Sequence, residues 1–241
     1  MKAFLLAAGL GTRLRPLTDS VPKCLVQVCG RPLLGYWLDL LAAHGVDRIL
    51  VNSFYLSQQV QDFVAASAHR DRVELLPEPR LLGTGGTLLR HRARLESGAF
   101  LVAHADNLTH FDVSAFRRAH EQRPHGAEIT MLTFETDQPS SCGIVELDVH
   151  GVVIGFHEKV PNPPGRLANA AVYIMQPSVL EFLASLGGEV IDLSTQVLPH
   201  YIGRIFTHPL DGYLRDIGIP DALLAAEREF STYLRRQAGL Q

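Results

Sequence analysis

The first half of the chain sets short, uncharged apolar runs between stretches whose apolar residues recur at helical spacing. Residues 3–8 are apolar throughout and break at Gly9-Leu10-Gly11-Thr12-Arg13. From 32 to 44, Leu34, Trp37, Leu38 and Leu41 share one face, with Pro32 near the start and Gly45 at the stop, which predicts a helix. Residues 48–53 predict a strand, and Ser57 a cap for a helix carrying Val60, Phe63 and Val64. Strands follow at 73–76, 100–105 (ending at Asp106) and 128–134, with helices at 85–95, entered through Gly83-Thr84-Gly85-Gly86, and at 113–121. The second half changes character. Residues 143–148 and 152–158 predict a hairpin turning at His150-Gly151, and 160–166 a proline-rich loop. Beyond them come strands at 169–175, 204–208 and 213–217 and helices at 177–186 and 193–201. A closing helix at 220–237 has Leu223, Leu224, Glu227 and Phe230 in register.

Strands that are apolar throughout, alternating with helices, fit a parallel sheet covered on both faces. In such sheets ligands gather at the carboxyl ends of the strands. The glycine loop, Asp106 and the turn at Pro77-Glu78 all fall at such ends. No polar linker, internal repeat or low-complexity tract interrupts the chain.

Composition narrows the partners. At 241 residues, with 46% hydrophobic and 20% charged positions, the chain has the make-up expected of a soluble globular protein. A net charge of −3 without a basic block weighs against nucleic acid. The apolar runs fall short of the roughly 18 residues of a membrane span. The N-terminal run is too short for a signal peptide, so cytoplasm is expected and no membrane partner. Cys24, Cys29 and Cys142 lack metal-site spacing and are expected as small buried hydrophobes. Of the eleven histidines, His104, His110, His120 and His125 are placed too irregularly to share one helix face and are expected as structural or surface groups.

The opening loop carries the chemistry. A strand that stops at glycines exposes backbone N–H groups together, which suits phosphate, and Arg13, Arg15 and Lys23 add positive charge. It is not the dinucleotide pattern, since Leu14 replaces the third glycine and Asn52 stands where a strand-end acid belongs. It is not a Walker loop, since no Gly-Lys-Ser/Thr follows. What remains is G-x-G-T-R-L-x-P-L-T over 9–18, then P-K-x-L over 22–25.

These motifs resemble those of the sugar nucleotidyltransferases, which join a sugar 1-phosphate to a nucleoside triphosphate and release pyrophosphate. Leu82-Gly83-Thr84-Gly85-Gly86, Asp106-Asn107, Phe156-His157-Glu158-Lys159 and Asp216-Ile217-Gly218 fit the same family in the same order. Asn169-Ala170-Ala171-Val172-Tyr173 resembles its N-A-G-V-Y, with Ala171 in place of glycine. The resemblance implies a single Rossmann-like, three-layer α/β domain over 1–241 with a mixed, mostly parallel central sheet. Its nucleotide-binding half would span about 1–110 and its sugar-phosphate half about 111–241. It implies Leu6, Ala8, Gly9, Gly11, Thr12, Arg13, Lys23, Gly83 and Thr84 as nucleotide contacts. Arg13 would hold the outer phosphates and Lys23 the α-phosphate. Asp106 and Asp216 would hold Mg²⁺, with Ala105 where relatives often have glycine. Asn107, Gly143, Glu158, Lys159 and Asn169 would hold the sugar phosphate, and Leu82 to Gly86 would pass close to base and ribose.

The reaction needs two polyanions aligned and their charge neutralised, and no protein nucleophile. Arg13, Lys23 and Asp106 are therefore the expected catalytic residues. The run 142–148 and the ending Asp216-Ile217-Gly218-Ile219-Pro220 look most like guanylyltransferases for manno-configured sugars, mannose or D-glycero-D-manno-heptose 1-phosphate. GTP and such a sugar 1-phosphate are the expected partners. Uridylyl- and thymidylyltransferases, a choline-phosphate cytidylyltransferase and a non-catalytic nucleotide-sensing subunit stay open, as does the oligomeric state. Trp37 could serve either core or interface.

Overall fold

A computed structural model describes residues 1–237. Among these residues the strands, in chain order, are β1 (Lys2–Leu6), β2 (Gln27–Val28), β3 (Arg31–Pro32), β4 (Arg48–Ser53), β5 (Val73–Pro77), β6 (Phe100–His104) and β7 (Asn107–Phe111). They continue with β8 (Ile129–Glu135), β9 (Gly143–Leu147), β10 (Val153–Glu158), β11 (Leu167–Met175), β12 (Ile205–Pro209) and β13 (Gly212–Asp216). The α-helices are α1 (Leu33–Ala43), α2 (Ser57–Ala66), α3 (Gly83–Arg90), α4 (Val113–Glu121), α5 (Ser178–Ser185) and α6 (Pro220–Gln237). The fold is α/β, with a mixed central sheet and flanking helices. Two interleaved units share the chain. One, here the loop unit, comprises Phe4–Arg80, His104–Asp112 and the chain from Asp211 onward; the other, the hairpin unit, comprises Met1–Ala3, Leu81–Ala103 and Val113–Leu210.

In the loop unit, β4 and β5 run parallel, with Asn52 opposite Leu76. Phe4, Leu5, Ile49, Leu50 and Val51 are fully buried, as uncharged strands covered on both faces should be. The face of α1 that the spacing predicted, Leu34, Trp37, Leu38 and Leu41, is buried, so Trp37 belongs to the core. A separate antiparallel ladder joins β7 to β13, setting Asp216 opposite Asn107. The short β2–β3 hairpin turns through Cys29 and Gly30, both at positive φ (50° and 74°), the pattern of a type I′ turn. That turn leaves Cys29 exposed, with its N–H donating to Glu227 Oε2, and Cys142 is only half-buried. The expectation of three buried cysteines therefore holds for Cys24 alone.

Beneath the loop lies an apolar cluster of Leu14, Val26, Val28, Leu33, Leu108, Ile217, Ala226 and Phe230. It draws on the loop, β2, α1, β7, the residue after β13, and α6. Burying a side chain of this size is worth about 1.5–3 kcal/mol. Several of these residues neighbour a charged one: Leu14 follows Arg13, Ile217 follows Asp216, and the buried Cys24 and Ala105 flank Lys23 and Asp106. The core thus fixes the backbone from which each charge projects.

In the hairpin unit, β11 is antiparallel to β6, β8 and β9. The predicted hairpin is present as antiparallel β9 and β10, and β12 runs parallel to β8. Three local expectations need correction. Ser57 is the first residue of α2 rather than its cap, and its hydroxyl bonds Ser53 Oγ (2.8 Å). The stretch expected as one helix at 85–95 is α3 followed by a 3₁₀ turn at Arg92–Arg94. Residues 193–201 form a π-turn and then a 3₁₀ turn, because Pro199 has no N–H to continue the α-helical ladder.

Candidate active site

The opening loop leaves β1 and tightens into a 3₁₀ turn at Thr12–Leu14, closed by Leu14 N–H donating to Gly11 O (2.9 Å). Gly11 sits at φ 63°, and a Cβ there would meet Lys23 Cβ and Thr18 Cγ2 at 3.0 Å, so backbone conformation and close packing both favour glycine. Thr18 Oγ1 donates to Gly11 O (2.7 Å), folding the loop back on itself. The strand end is anchored by a residue that sequence reasoning left without a role. Asn52 Oδ1 accepts from Ala7 N–H (2.8 Å), and its amide donates to Glu78 Oε2 (3.1 Å). Both Asn52 and Glu78 are buried.

Four predicted residues meet in the loop unit. Lys23 Nζ lies 2.7 Å from Asp106 Oδ2 and 3.4 Å from Asp216 Oδ1, and Arg13 Nη2 lies 3.9 Å from Asp216 Oδ2. Asp106 occupies the turn between β6 and β7, and Asp216 ends β13. The β7–β13 ladder therefore brings together carboxylates that are far apart in sequence. The indole of Trp37 donates to Asn107 O (3.0 Å), pinning the start of β7 from the core side. Gly9 is adjacent, since a Cβ there would sit 4.0 Å from Asp106 Oδ2. Gly218 is a second contact the sequence did not single out by role: a Cβ would come within 2.9 Å of both Arg13 Nη2 and Asp216 Oδ2. Burial alone would raise the pKa of Asp106, but the Lys23 ammonium and then His104 outweigh it and hold the carboxyl below its ordinary value.

The donor set suits a hard divalent cation. Two carboxylates converge on one cationic atom and present only oxygen, the ligand type Mg²⁺ takes. Among the described residues no group of three or more His, Cys, Asp or Glu side chains is gathered as a metal site. A metal here would complete its shell with water and substrate oxygens, as Mg²⁺ commonly does.

The hairpin unit gathers a second set. Glu158 lies opposite Gly143 across the β9–β10 ladder. A Cβ at Gly143 would strike Glu158 Oε2 at 2.6 Å and the Phe156 ring at 2.9 Å, so the glycine makes room for the carboxylate. Lys159 Nζ sits 3.2 Å from Glu158 Oε1, on an exposed side chain at φ 51°. Next to Glu158, His157 pairs instead with Glu146 Oε1 (2.7 Å). Asn169 spans a bulge in β11: its Oδ1 accepts from Ala171 N–H (2.9 Å) and its amide donates to the Tyr173 hydroxyl (2.7 Å). Ala171, where the family motif has glycine, is at φ 55°. Gly83 and Thr84 open α3, and the glycines here meet other backbone of the same unit. Cβ atoms at Gly83 and Gly86 would collide with the carbonyls of Ile191 (2.4 Å) and Glu189 (2.1 Å), so these glycines admit the protein's own backbone. Thr84 Oγ1 accepts from Leu193 N–H (2.7 Å) and locks the same junction.

Comparison with known proteins gives this geometry a family. The mannose-1-phosphate guanylyltransferase catalytic subunit beta of Xenopus tropicalis is 32% identical over 233 residues, covering 93% of this chain and 63% of that protein. A mannose-1-phosphate guanylyltransferase of Mycobacterium tuberculosis is 29% identical, over 91% and 61%. The chain thus spans under two thirds of the length of these two relatives. Among solved structures, HddC from Yersinia pseudotuberculosis complexed with GMP-PN is 25% identical, with a TM-score of 0.79 over 95% of this chain and 99% of that one. A putative glucose-1-phosphate thymidylyltransferase from Bacillus anthracis, at 19% identity, shares the fold with a TM-score of 0.85 over 95% and 94%. The sequence itself matches the nucleotidyl transferase family over residues 2–232, and the chain belongs to that family.

Proposed function

We propose that this protein transfers a nucleoside monophosphate from GTP to a manno-configured sugar 1-phosphate, releasing pyrophosphate and forming a nucleotide sugar. The observation that carries the reading is the meeting of Asp106 and Asp216 on Lys23, with Arg13 beside them, in a chain of this family. The names of the relatives and the GMP-PN complex of HddC support GTP and a mannose-type acceptor. Among the described residues no helix is long and apolar enough to cross a membrane. The cytoplasm is proposed as the setting.

In the proposed reaction a sugar-phosphate oxygen attacks the α-phosphorus in line. One P–O bond forms as the bond to the β-phosphate oxygen breaks, and the electron pair leaves with pyrophosphate. The planar guanidinium of Arg13 grips the outer phosphates and the leaving group. Lys23 stabilises charge at the α-phosphate as a point cation. Asp106 and Asp216 would hold Mg²⁺, which when bound neutralises phosphate charge. Leu6, Ala8, Gly9, Gly11 and Thr12 line the triphosphate, and Gly83 and Thr84 the nucleoside. Glu158 accepts hydrogen bonds from sugar hydroxyls and Lys159 holds the sugar phosphate, with Asn107, Asn169 and the Gly143 backbone completing the acceptor contacts.

Pyrophosphate release, measured across four NTPs and a panel of sugar phosphates, tests the reading. Turnover with UTP or dTTP but not GTP would sink the guanylyl assignment. Nucleotide binding without turnover for any pair would favour a nucleotide-sensing subunit. Asp106→Asn is expected to lose turnover while still binding nucleotide; activity retained in Mg²⁺ would refute its metal role.

A further inference from the structure

We propose that Lys23 is a built-in counter-cation that closes the carboxylate pair to a free divalent ion, so that the site takes its metal only as a polyphosphate draws the ammonium away. The inference rests on the reading of Asp106 and Asp216 as metal ligands.

The geometry is one of direct competition. Lys23 Nζ bridges Asp106 Oδ2 and Asp216 Oδ1 at 2.7 and 3.4 Å. A Mg²⁺ bound to the same two oxygens would stand about 2.0–2.1 Å from each, in the space the ammonium fills. The ammonium is not a passing surface contact, for its side chain is only 9% exposed. Its backbone is fixed by the 3₁₀ turn Lys23–Leu25 and by the fully packed Cys24. Its four-carbon stem, by contrast, can swing the charge without moving that backbone.

Charge points the same way. Arg13 and Lys23 balance Asp106 and Asp216, two cations against two carboxylates. A dication entering alone would leave two units of positive charge in a partly buried cluster. It would also have to shed water, which Mg²⁺ does reluctantly. A polyphosphate entering with it removes both obstacles: its oxygens receive the displaced ammonium, help ligate the metal and restore the balance. Lys23 then has two stations, on the carboxylates when the site is empty and on phosphate when it is filled.

Binding of Mn²⁺, followed by the electron paramagnetic resonance of the free ion, tests this without turnover. Wild type, Lys23→Met and Lys23→Met/Asp106→Asn are titrated with and without pyrophosphate, against blanks holding the same Mn²⁺ and pyrophosphate. Pyrophosphate is the probe because every candidate nucleotide yields it. Without pyrophosphate, Lys23→Met is expected to bind Mn²⁺ about tenfold or more tightly than wild type, as removal of one competing charge should give. Pyrophosphate is expected to tighten Mn²⁺ binding more in wild type than in Lys23→Met, because the two ligands are coupled through the lysine. Lys23→Gln, which keeps a donor but no charge, repeats the measurement should the Met variant not fold. Equal or weaker Mn²⁺ binding in the lysine variants, with Asp106-dependent binding still seen in the presence of pyrophosphate, overturns the proposal and leaves the metal site standing. No Asp106-dependent Mn²⁺ binding in any protein, pyrophosphate present or absent, overturns both.

Discussion

Asn52 offers the sharpest test of how the loop is held. It is buried, and it ties the end of β1 to Glu78 through two hydrogen bonds, one to Ala7 N–H and one to Glu78 Oε2. Asn52→Ala deprives the Ala7 N–H of its acceptor and removes the amide that donates to the Glu78 carboxyl. Leaving a buried donor without its partner costs about 1–3 kcal/mol, and a bond to a carboxyl is worth about as much again, so a loss of roughly 3 kcal/mol is expected. Ala7 lies two residues before Gly9, so a shift there carries into the glycine loop. A KM for the nucleotide raised about tenfold, with a smaller fall in kcat, would correspond to about 1.4 kcal/mol of lost binding. Asn52→Asp separates the two bonds: it keeps the acceptor for Ala7 but sets a carboxylate against Glu78. It should lose stability while leaving KM closer to wild type. Urea unfolding of the three proteins, together with nucleotide KM values, reads both effects. A loss below about 1 kcal/mol in the alanine variant, with KM unchanged, would show that the loop does not depend on this tie.

Two further expectations follow from strained and buried positions. Ala171 occupies the left-handed region at φ 55°, where a Cβ costs about 1–2 kcal/mol, partly offset in glycine by its freer unfolded chain. Ala171→Gly should therefore raise stability by about 0.5 kcal/mol and Tm by about 1–2 °C, and a lower Tm would contradict this reading of the bulge. His120 is buried with both ring nitrogens engaged, Nδ1 with Thr130 Oγ1 and Nε2 with the Gln176 amide, each at 2.8 Å. Burial, and secondarily Arg123, push its pKa down to about 4 from the ordinary 6.5. The folded protein thus refuses a proton that the unfolded chain accepts. The cost is absent above pH 6.5 and grows as pH falls toward the folded value; allowing for screening, it reaches about 2 kcal/mol. His120→Gln should flatten that part of the stability profile between pH 6.5 and 4.5, and an unchanged slope in chemical denaturation would refute the assignment.

Much of this architecture is legible in the amino-acid order because it is local. Helices α4 and α6 have the bounds that their periodicity predicts, and β4 stands out as an apolar run between a charge and a turn. The charged residues of the site are legible for a related reason: each stands beside a buried apolar neighbour at a strand end or loop. What is not legible depends on partners distant in sequence. Strand β7 is only five residues, one of them an exposed histidine, and exists because β13, distant in sequence, pairs with it, Gly212 opposite Phe111. Asn52 stands out as a missing acid, but its purpose needs Ala7, forty-five positions away. The glycines of α3 read equally as room for a ligand or for backbone, and only the carbonyls of Glu189 and Ile191 decide that they admit backbone. Cys29 shows the reverse case, in which turn geometry overrides the usual preference of a thiol for the interior.

The pairing of β7 with β13 also has a consequence for how the molecule comes into being. Arg13, Lys23 and Asp106 are synthesised well before Asp216, which arrives only with β13, and its place is set by a register in which it faces Asn107. Closing a loop of that length is entropically costly and slow compared with local helix formation. Until it closes, Lys23 has one carboxylate instead of two, and Arg13 lacks its partner. A nascent or truncated chain lacking β13 would therefore carry the glycine loop in sequence without an assembled charge cluster. Because a slip of one residue would put Arg215 where Asp216 belongs, the β7–β13 ladder acts as a proofreading step: the charge cluster is complete only in molecules whose β13 has found its correct register.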